Sequence, residues 1–206
     1  MLQYHTIEPR TLVLLRKLIQ IDEFKELRLV GGTSLALQIG HRSSIDIDLF
    51  GTLEPDEFEI DKILSKIGSI TLLKKTKNIN VYLIDGIKVD LVNYHYPWLE
   101  ETIIEDNLRL AGTKDIAAMK LAAITGRGTK KDFIDLNFLL QFYTLEEMLG
   151  FYKLKFNDAS EILVLKSLTY FDDADEEEDP RMVMSMNWKK VKDLITLSMQ
   201  KYLTDL

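Results

Sequence analysis

Residues 29–50 read LVGGTSLALQIGHRSSIDIDLF, and this stretch decides how the rest of the chain is read. Its order is strand, Gly-Gly turn, short helix, loop, strand. Ile45, Ile47 and Leu49 fall on one face of the closing strand and Asp46 and Asp48 on the other, because successive side chains of a strand point to opposite sides. The two carboxylates therefore project together, with Cα atoms about 7 Å apart. Alone they repel each other, so the arrangement makes most sense with a divalent cation between them. Gly31 and Gly32 permit a sharp turn and a close approach of backbone to ligand. They open a helix expected to begin near Thr33 or Ser34, whose free N–H groups suit a phosphate. An Asp-x-Asp on a solvent face and a lone Gly-Gly are each common. On this reading one side of the site would hold metal and the other triphosphate.

Composition bounds the answer. With 206 residues, 46% hydrophobic and 29% charged, the chain is long enough for one substantial core or two small lobes. Cysteine is absent, which rules out a disulfide framework and a thiolate metal site and fits a reducing cytoplasm. The apolar run at residues 12–19 is broken by Arg16 and Lys17, so it reads as an amphipathic helix and not as a membrane span or signal peptide. The net charge of −7 is concentrated in residues 172–179, DDADEEED, and the rest of the chain is formally neutral. A local basic surface for nucleic acid is thus allowed, around Lys74, Lys75 and Lys77 or around Arg127, Lys130 and Lys131. The acidic run lacks the spaced ligands and glycine of a calcium loop and reads as a solvated linker or partner-facing segment.

Along the chain, Pro9 starts a helix through about Ile21, residues 27–30 form the strand that delivers the glycines, and a helix follows over residues 56–67. Residues 69–75, 79–84 and 87–93 read as strands, the last two joined by an Asp85-Gly86 hairpin turn. If Ile84 pairs with Ile87, Asp90 lies opposite Val81 and shares its face with Lys88 and Val92. Asp90 then either completes a three-carboxylate cluster with Asp46 and Asp48 or is satisfied by Lys88 on an exposed face. Past Trp98 the pattern turns helical, with a boundary near residues 110–113. In IAAMKLAAI, residues 116–124, the single charge Lys120 sits in an apolar stripe. It needs an anion such as a triphosphate, an internal salt bridge, or an escape to solvent. Thr129 and Asp132 resemble a capping box, and Asp132 and Asp135 share a helical face, either as cap and salt-bridge partners of Arg127 or Lys131 or as catalytic groups. Thr144 with Glu147 and Asn187 mark two further helix starts.

GGTSLAL, HRSS and DIDLF in that order resemble the polymerase-beta-like nucleotidyltransferase superfamily and, more narrowly, the AbiEii/AbiGii toxin family. AMKLAAITGRGTKKDFIDL and, more weakly, LKSLTYFDDAD are similar to later blocks of that family. The resemblance implies an α+β fold, with a nucleotidyltransferase-type mixed β-sheet flanked by helices over residues 1–110. A helical lobe over residues 111–206 would complete a nucleotide and acceptor cleft. It further implies transfer of a nucleoside monophosphate from an NTP to a hydroxyl, with RNA, notably tRNA, as the acceptor and a separately encoded antitoxin as partner.

In that chemistry Asp46, Asp48 and Asp90 would hold two Mg2+ or Mn2+ ions about 4 Å apart, with Asp90 taking the acceptor's proton. Gly31, Gly32, Thr33 and Ser34 would cradle phosphates and Lys120 would neutralise the leaving group. Arg42 would pair with the carboxylates or touch nucleotide, Lys130 or Lys131 would contact phosphate or an acceptor strand, and His41 would be a local hydrogen-bonding residue. Two other functions remain open at this stage: transfer to a small molecule such as an aminoglycoside or to a protein, and a non-catalytic binding module with the same fold.

Overall fold

The computed structural model describes residues 1–158 and 160–205, with Glu57 described by its backbone alone. The chain divides into two compact units, one built from residues 1–95 with 102–111, the other from 96–101 with Gly112 onward. No helix among the described residues is long and apolar enough to cross a membrane.

The first unit runs α1 (Pro9–Ile19), β1 (Arg28–Leu29), α2 (Gly31–Ile39), β2 (Ile47–Gly51), α3 (Glu57–Leu64), β3 (Ile70–Lys75), β4 (Ile79–Ile84), β5 (Ile87–Asn93), β6 (Ile103–Glu105) and β7 (Leu108–Leu110). Among the described residues these strands make one mixed seven-stranded sheet, in the order β3-β4-β5-β2-β1-β7-β6. Pro9 occupies the first helical turn of α1, where its missing N–H has no intrahelical acceptor to lose. The β4–β5 hairpin has the expected register, Ile84 against Ile87 and Val81 against Asp90. Asp85 and Gly86 both adopt positive φ, +48° and +83°, as a two-residue primed turn requires. Ile47, Leu49, Val89 and Leu91 are fully buried, together with Leu15 and Leu18 of α1 and Leu64 of α3.

Several expectations are corrected. The helix after the glycines starts at Gly31 itself, not at Thr33 or Ser34. Strand β2 starts at Ile47, so Ile45 precedes it and is exposed instead of joining the apolar face. The β6–β7 hairpin stands where a helical pattern was expected. Its own signal is local: Asp106 and Asn107 both take positive φ between Ile103, Ile104 and Leu108, Leu110.

The second unit carries α4 (Thr113–Gly126), α5 (Lys130–Leu139), α6 (Leu145–Lys155), α7 (Glu161–Ser167), α8 (Asp172–Asp175) and α9 (Trp188–Thr204). The capping box at Thr144 and Glu147 is formed, and Asn187 caps α9. Thr129 caps differently from the expected box: its hydroxyl donates to the Asp132 carboxylate, 2.6 Å, instead of accepting a backbone N–H. The acidic run is not a plain solvated linker. Part of it forms α8, Asp175 pairs with Lys192 at 2.8 Å, and Glu177 accepts the backbone N–H of Lys130.

Two buried ion clusters organise this unit. Asp115 and Lys155, both without solvent exposure, pair at 2.6 Å. Asp115 also accepts the backbone N–H groups of Leu99 and Glu100, and Lys155 donates to the Pro97 carbonyl. This explains why residues 96–101 belong to the helical unit. In the second cluster Lys120 of α4 reaches Asp132 at 2.9 Å and Asp135 at 2.6 Å on α5. Arg127 adds two bonds to Asp132. Burial opposes ionisation of Asp132, but Lys120, Arg127 and Thr129 outweigh it and hold the carboxyl well below its usual range.

Two outcomes follow for stability. Lys155→Met leaves Asp115 charged and buried without its cation and should lower unfolding free energy by about 3–5 kcal/mol, read from urea denaturation. The depressed pKa of Asp132 means that its contribution is complete above about pH 4 and is lost as the pH falls below that value. The drop in urea midpoint between pH 5 and pH 3 should therefore be smaller in Asp132→Asn than in the unmodified protein.

Candidate functional site

Strand β2 alternates buried and half-buried residues, placing Ile47 and Leu49 in the core and Asp48 and Phe50 on the other face. It pairs in parallel with β5, and the register sets Asp48 directly beside Asp90. Asp46 lies two residues upstream, just before the strand begins, and is half-buried like Asp48. Its main-chain position is held by the hydroxyl of Thr33, which donates to the Asp46 carbonyl and lies 2.8 Å from the Ser44 hydroxyl. The backbone N–H of Val30 donates to the Asp48 carbonyl at 2.9 Å and so ties the start of α2 to the acids.

The two glycines are required by their neighbours. A Cβ on Gly31 would lie 2.4 Å from Oδ2 of Asp48, and the residue also has φ of +65°. A Cβ on Gly32 would lie 2.2 Å from Nη2 of Arg42. Sequence reasoning assigned this free space to a phosphate. In the structure the Asp48 carboxylate and the Arg42 guanidinium use it. Arg42 is buried and donates to the Ser43 carbonyl at 3.0 Å. What α2 offers an anion is backbone: its first N–H groups have no intrahelical acceptor, and its N-cap residue, Val30, has no side-chain acceptor to give them. The hydroxyls of Thr33 and Ser34 are buried and bonded within the protein, Ser34 Oγ accepting from Gln38. His41 is fully buried.

The residue underweighted by sequence reasoning is Lys88. It precedes Asp90 by two positions on the same face of β5, and its ammonium lies 2.7 and 2.9 Å from the two Asp90 oxygens. Continuing the β2–β5 register brings Lys88 level with Asp46. Burial works against the lysine's charge, but the hydrogen bond to Asp90 and the charges of Asp90, Asp48 and Asp46 win, and its pKa is raised. Its pairing with Asp90 was one of the two readings open from the sequence, and the parallel register adds the nearness of Asp48.

As a potential metal site the arrangement fits in donor chemistry. Three carboxylates suit a hard divalent ion. Oδ1 of Asp90 is shielded from solvent and receives no aligned hydrogen bond, even with Lys88 2.7 Å away. The acids do not yet converge: among the described residues no three His, Asp or Glu side chains form a ready ligand cluster.

The other expected site residues lie in the helical unit. Lys120 is buried and engaged by Asp132 and Asp135, so the structure gives it two internal carboxylates where an anionic ligand was expected. Lys130, expected at a phosphate, is buried instead. Its ammonium donates to the Glu177 carbonyl, lies 3.2 Å from Asp179 and sits 5.5 Å from the centre of the Trp188 ring. Lys131 is half-buried on the first turn of α5, and Arg127 is more than half exposed beyond its bond to Asp132.

Comparison with known proteins agrees with this architecture. JHP933 from Helicobacter pylori superposes with a TM-score of 0.60 at 18% identity, over 94% of this chain and 92% of that one. MenT4, a nucleotidyltransferase toxin from Mycobacterium tuberculosis H37Rv, gives 0.50 at 14% identity, over 92% and 80%. These likenesses speak for the α+β fold. In sequence, the uncharacterized protein aq_aa25 of Aquifex aeolicus (strain VF5) is 36% identical over 197 residues, 92% of this chain and 94% of the relative. A family model described as "Nucleotidyl transferase AbiEii toxin, Type IV TA system" matches residues 13–198. With nearly its whole length matched, the chain belongs to the AbiEii nucleotidyltransferase toxin family of type IV toxin–antitoxin systems.

Proposed function

We propose that the chain transfers a nucleoside monophosphate from an NTP to a hydroxyl of an RNA acceptor, with tRNA the favoured class. It does so in the cytoplasm, as a toxin restrained by a separate antitoxin. The observation that carries this reading is the β2–β5 register, which aligns Asp48 with Asp90 beside Gly31 at the mouth of α2. A bound Mg2+ or Mn2+ would supply activation of the acceptor hydroxyl and charge stabilisation on the leaving pyrophosphate. Asp46, Asp48 and Asp90 are assigned to hold it, and the Asp90 carboxylate to accept the hydroxyl proton.

The chain's own backbone handles the nucleotide tail. The backbone N–H groups at the start of α2 and the positive end of its dipole receive the phosphates. The Arg42 guanidinium beside Gly32 adds fixed positive charge at the same helix end. An RNA acceptor is supported by the family and by a chain whose negative charge is gathered in one segment. Arg127 and Lys131 are the cations assigned to acceptor phosphates.

The test is transfer of label from each NTP, with magnesium, to total tRNA or to cell extract. Label in RNA is expected; label confined to a small product or to protein would replace the acceptor, and no label anywhere would sink the enzyme reading. Asp48→Asn should reduce transfer by about a thousandfold. The same variant relieves like-charge repulsion, so its thermal midpoint in EDTA should equal or exceed that of the unmodified protein.

A further inference from the structure

Asp48 and Asp90 lie abreast on one face of the sheet with Asp46 just ahead of β2, and one cation is folded in beside these three acids. Lys88 contacts both oxygens of Asp90, and Asp48 is Asp90's neighbour across the parallel pair. Its side chain is 41% exposed. The ammonium can therefore move out to water along the sheet surface without opening the core, as long lysine stems commonly do. Lys155 in the helical unit is the contrasting case. It has no solvent exposure and is held by the Asp115 carboxylate and the Pro97 carbonyl, so it has no such exit.

We propose that Lys88 is a tethered counter-ion for the acid row, occupying Asp90 while no divalent ion is bound and swinging away when the acids take one up. The inference rests on the metal reading of this site given above. It accounts for two features of the geometry together. Among the described residues no three acids form a ready ligand cluster, and the ammonium rests on Asp90, where a shared ion would have to bind. Asp90 Oδ1 lacks an aligned hydrogen bond although a cation is close, as a position shared between two alternative partners would. The consequence is selectivity in what fills the site. A free ion must displace an ammonium from Asp90 unaided. An ion arriving with a nucleotide's phosphates brings an anion with which the displaced ammonium can pair, so Lys88 disfavours loading by metal alone and favours loading by the metal–nucleotide complex.

The test uses the full chain without nucleotide. Mn2+ is titrated calorimetrically into the unmodified protein and into Lys88→Met and Lys88→Arg, and each is melted in EDTA and in Mn2+. Lys88→Met is expected to bind Mn2+ about tenfold more tightly, since a competing positive charge is gone. It should also melt at a lower temperature in EDTA, and its midpoint should rise more on adding Mn2+. Lys88→Arg keeps the charge and should bind as the unmodified protein does. Lys88→Gln replaces the Met variant if that one fails to fold. Equal Mn2+ affinity in the charged and uncharged variants, or a higher midpoint for the uncharged variant in EDTA, overturns the proposal and leaves Lys88 an ordinary partner of Asp90. Absence of Mn2+ binding to every one of these proteins overturns the metal reading itself, and this inference with it.

Discussion

The parallel pairing of β2 with β5 is the constraint on which the sheet unit turns. It joins two strands whose apolar residues meet in the core, Ile47 against Val89 and Leu49 against Leu91. It thereby commits Asp48 and Asp90 to lie abreast on the opposite face. Carboxylates about 5 Å apart on neighbouring strands repel by about 3 kcal/mol at an effective dielectric of 20. The burial of four aliphatic side chains outweighs that repulsion, at roughly 1.5–3 kcal/mol each. The register is therefore secured by the core, and the acid row is imposed on the other face as a consequence. A one-residue slip that separated the acids would turn the aliphatic set outward, so packing holds the charged face in place.

How much of this was legible beforehand depends on sequence distance. The β4–β5 hairpin was readable to the residue, because Asp85-Gly86 specifies the turn and the turn specifies the register. The starts of α6 and α9 were readable for the same reason, each set by a cap a few residues long. The β6–β7 hairpin was missed because three-residue strands, with Ile103 and Ile104 partly exposed, do not make a period-two pattern long enough to see. Alternation within each strand was enough to propose Asp46 and Asp48 as a pair and to leave Asp90 either as their third acid or as the partner of Lys88. That Lys88 stands among them depends on a pairing between residues some forty positions apart, which no local pattern encodes.

The glycine pair shows a second kind of partial legibility. Gly31 and Gly32 were correctly read as points of close approach, but the identity of what approaches is a tertiary fact. Asp48 and Arg42, of opposite charge, each rest on one of the two glycines at the N-terminus of α2. The carboxylate near the helix's positive end is favourable in itself. The guanidinium there is unfavourable by the same rule, and it is held in its buried position in part by the Ser43 carbonyl, to which it donates at 3.0 Å.

The lysines extend this argument from position to role. Lys120, Lys155 and Lys88 each contact carboxylate oxygens at hydrogen-bond distance, yet their surroundings differ. Lys155 is sealed between an acid and a carbonyl and pins residues 96–101 to the helical unit. Lys120 is nearly as enclosed and joins α4 to α5 through two acids. For these two, leaving the partner means desolvating a charge with nothing to replace it, a penalty of several kcal/mol that keeps the pair closed. Lys88 is exposed along its stem, so its ammonium exchanges a carboxylate for water at little net cost. The contact distances alone do not separate the three pairs. Access to solvent does, and it marks the pair on the sheet's acid face as the one built to open.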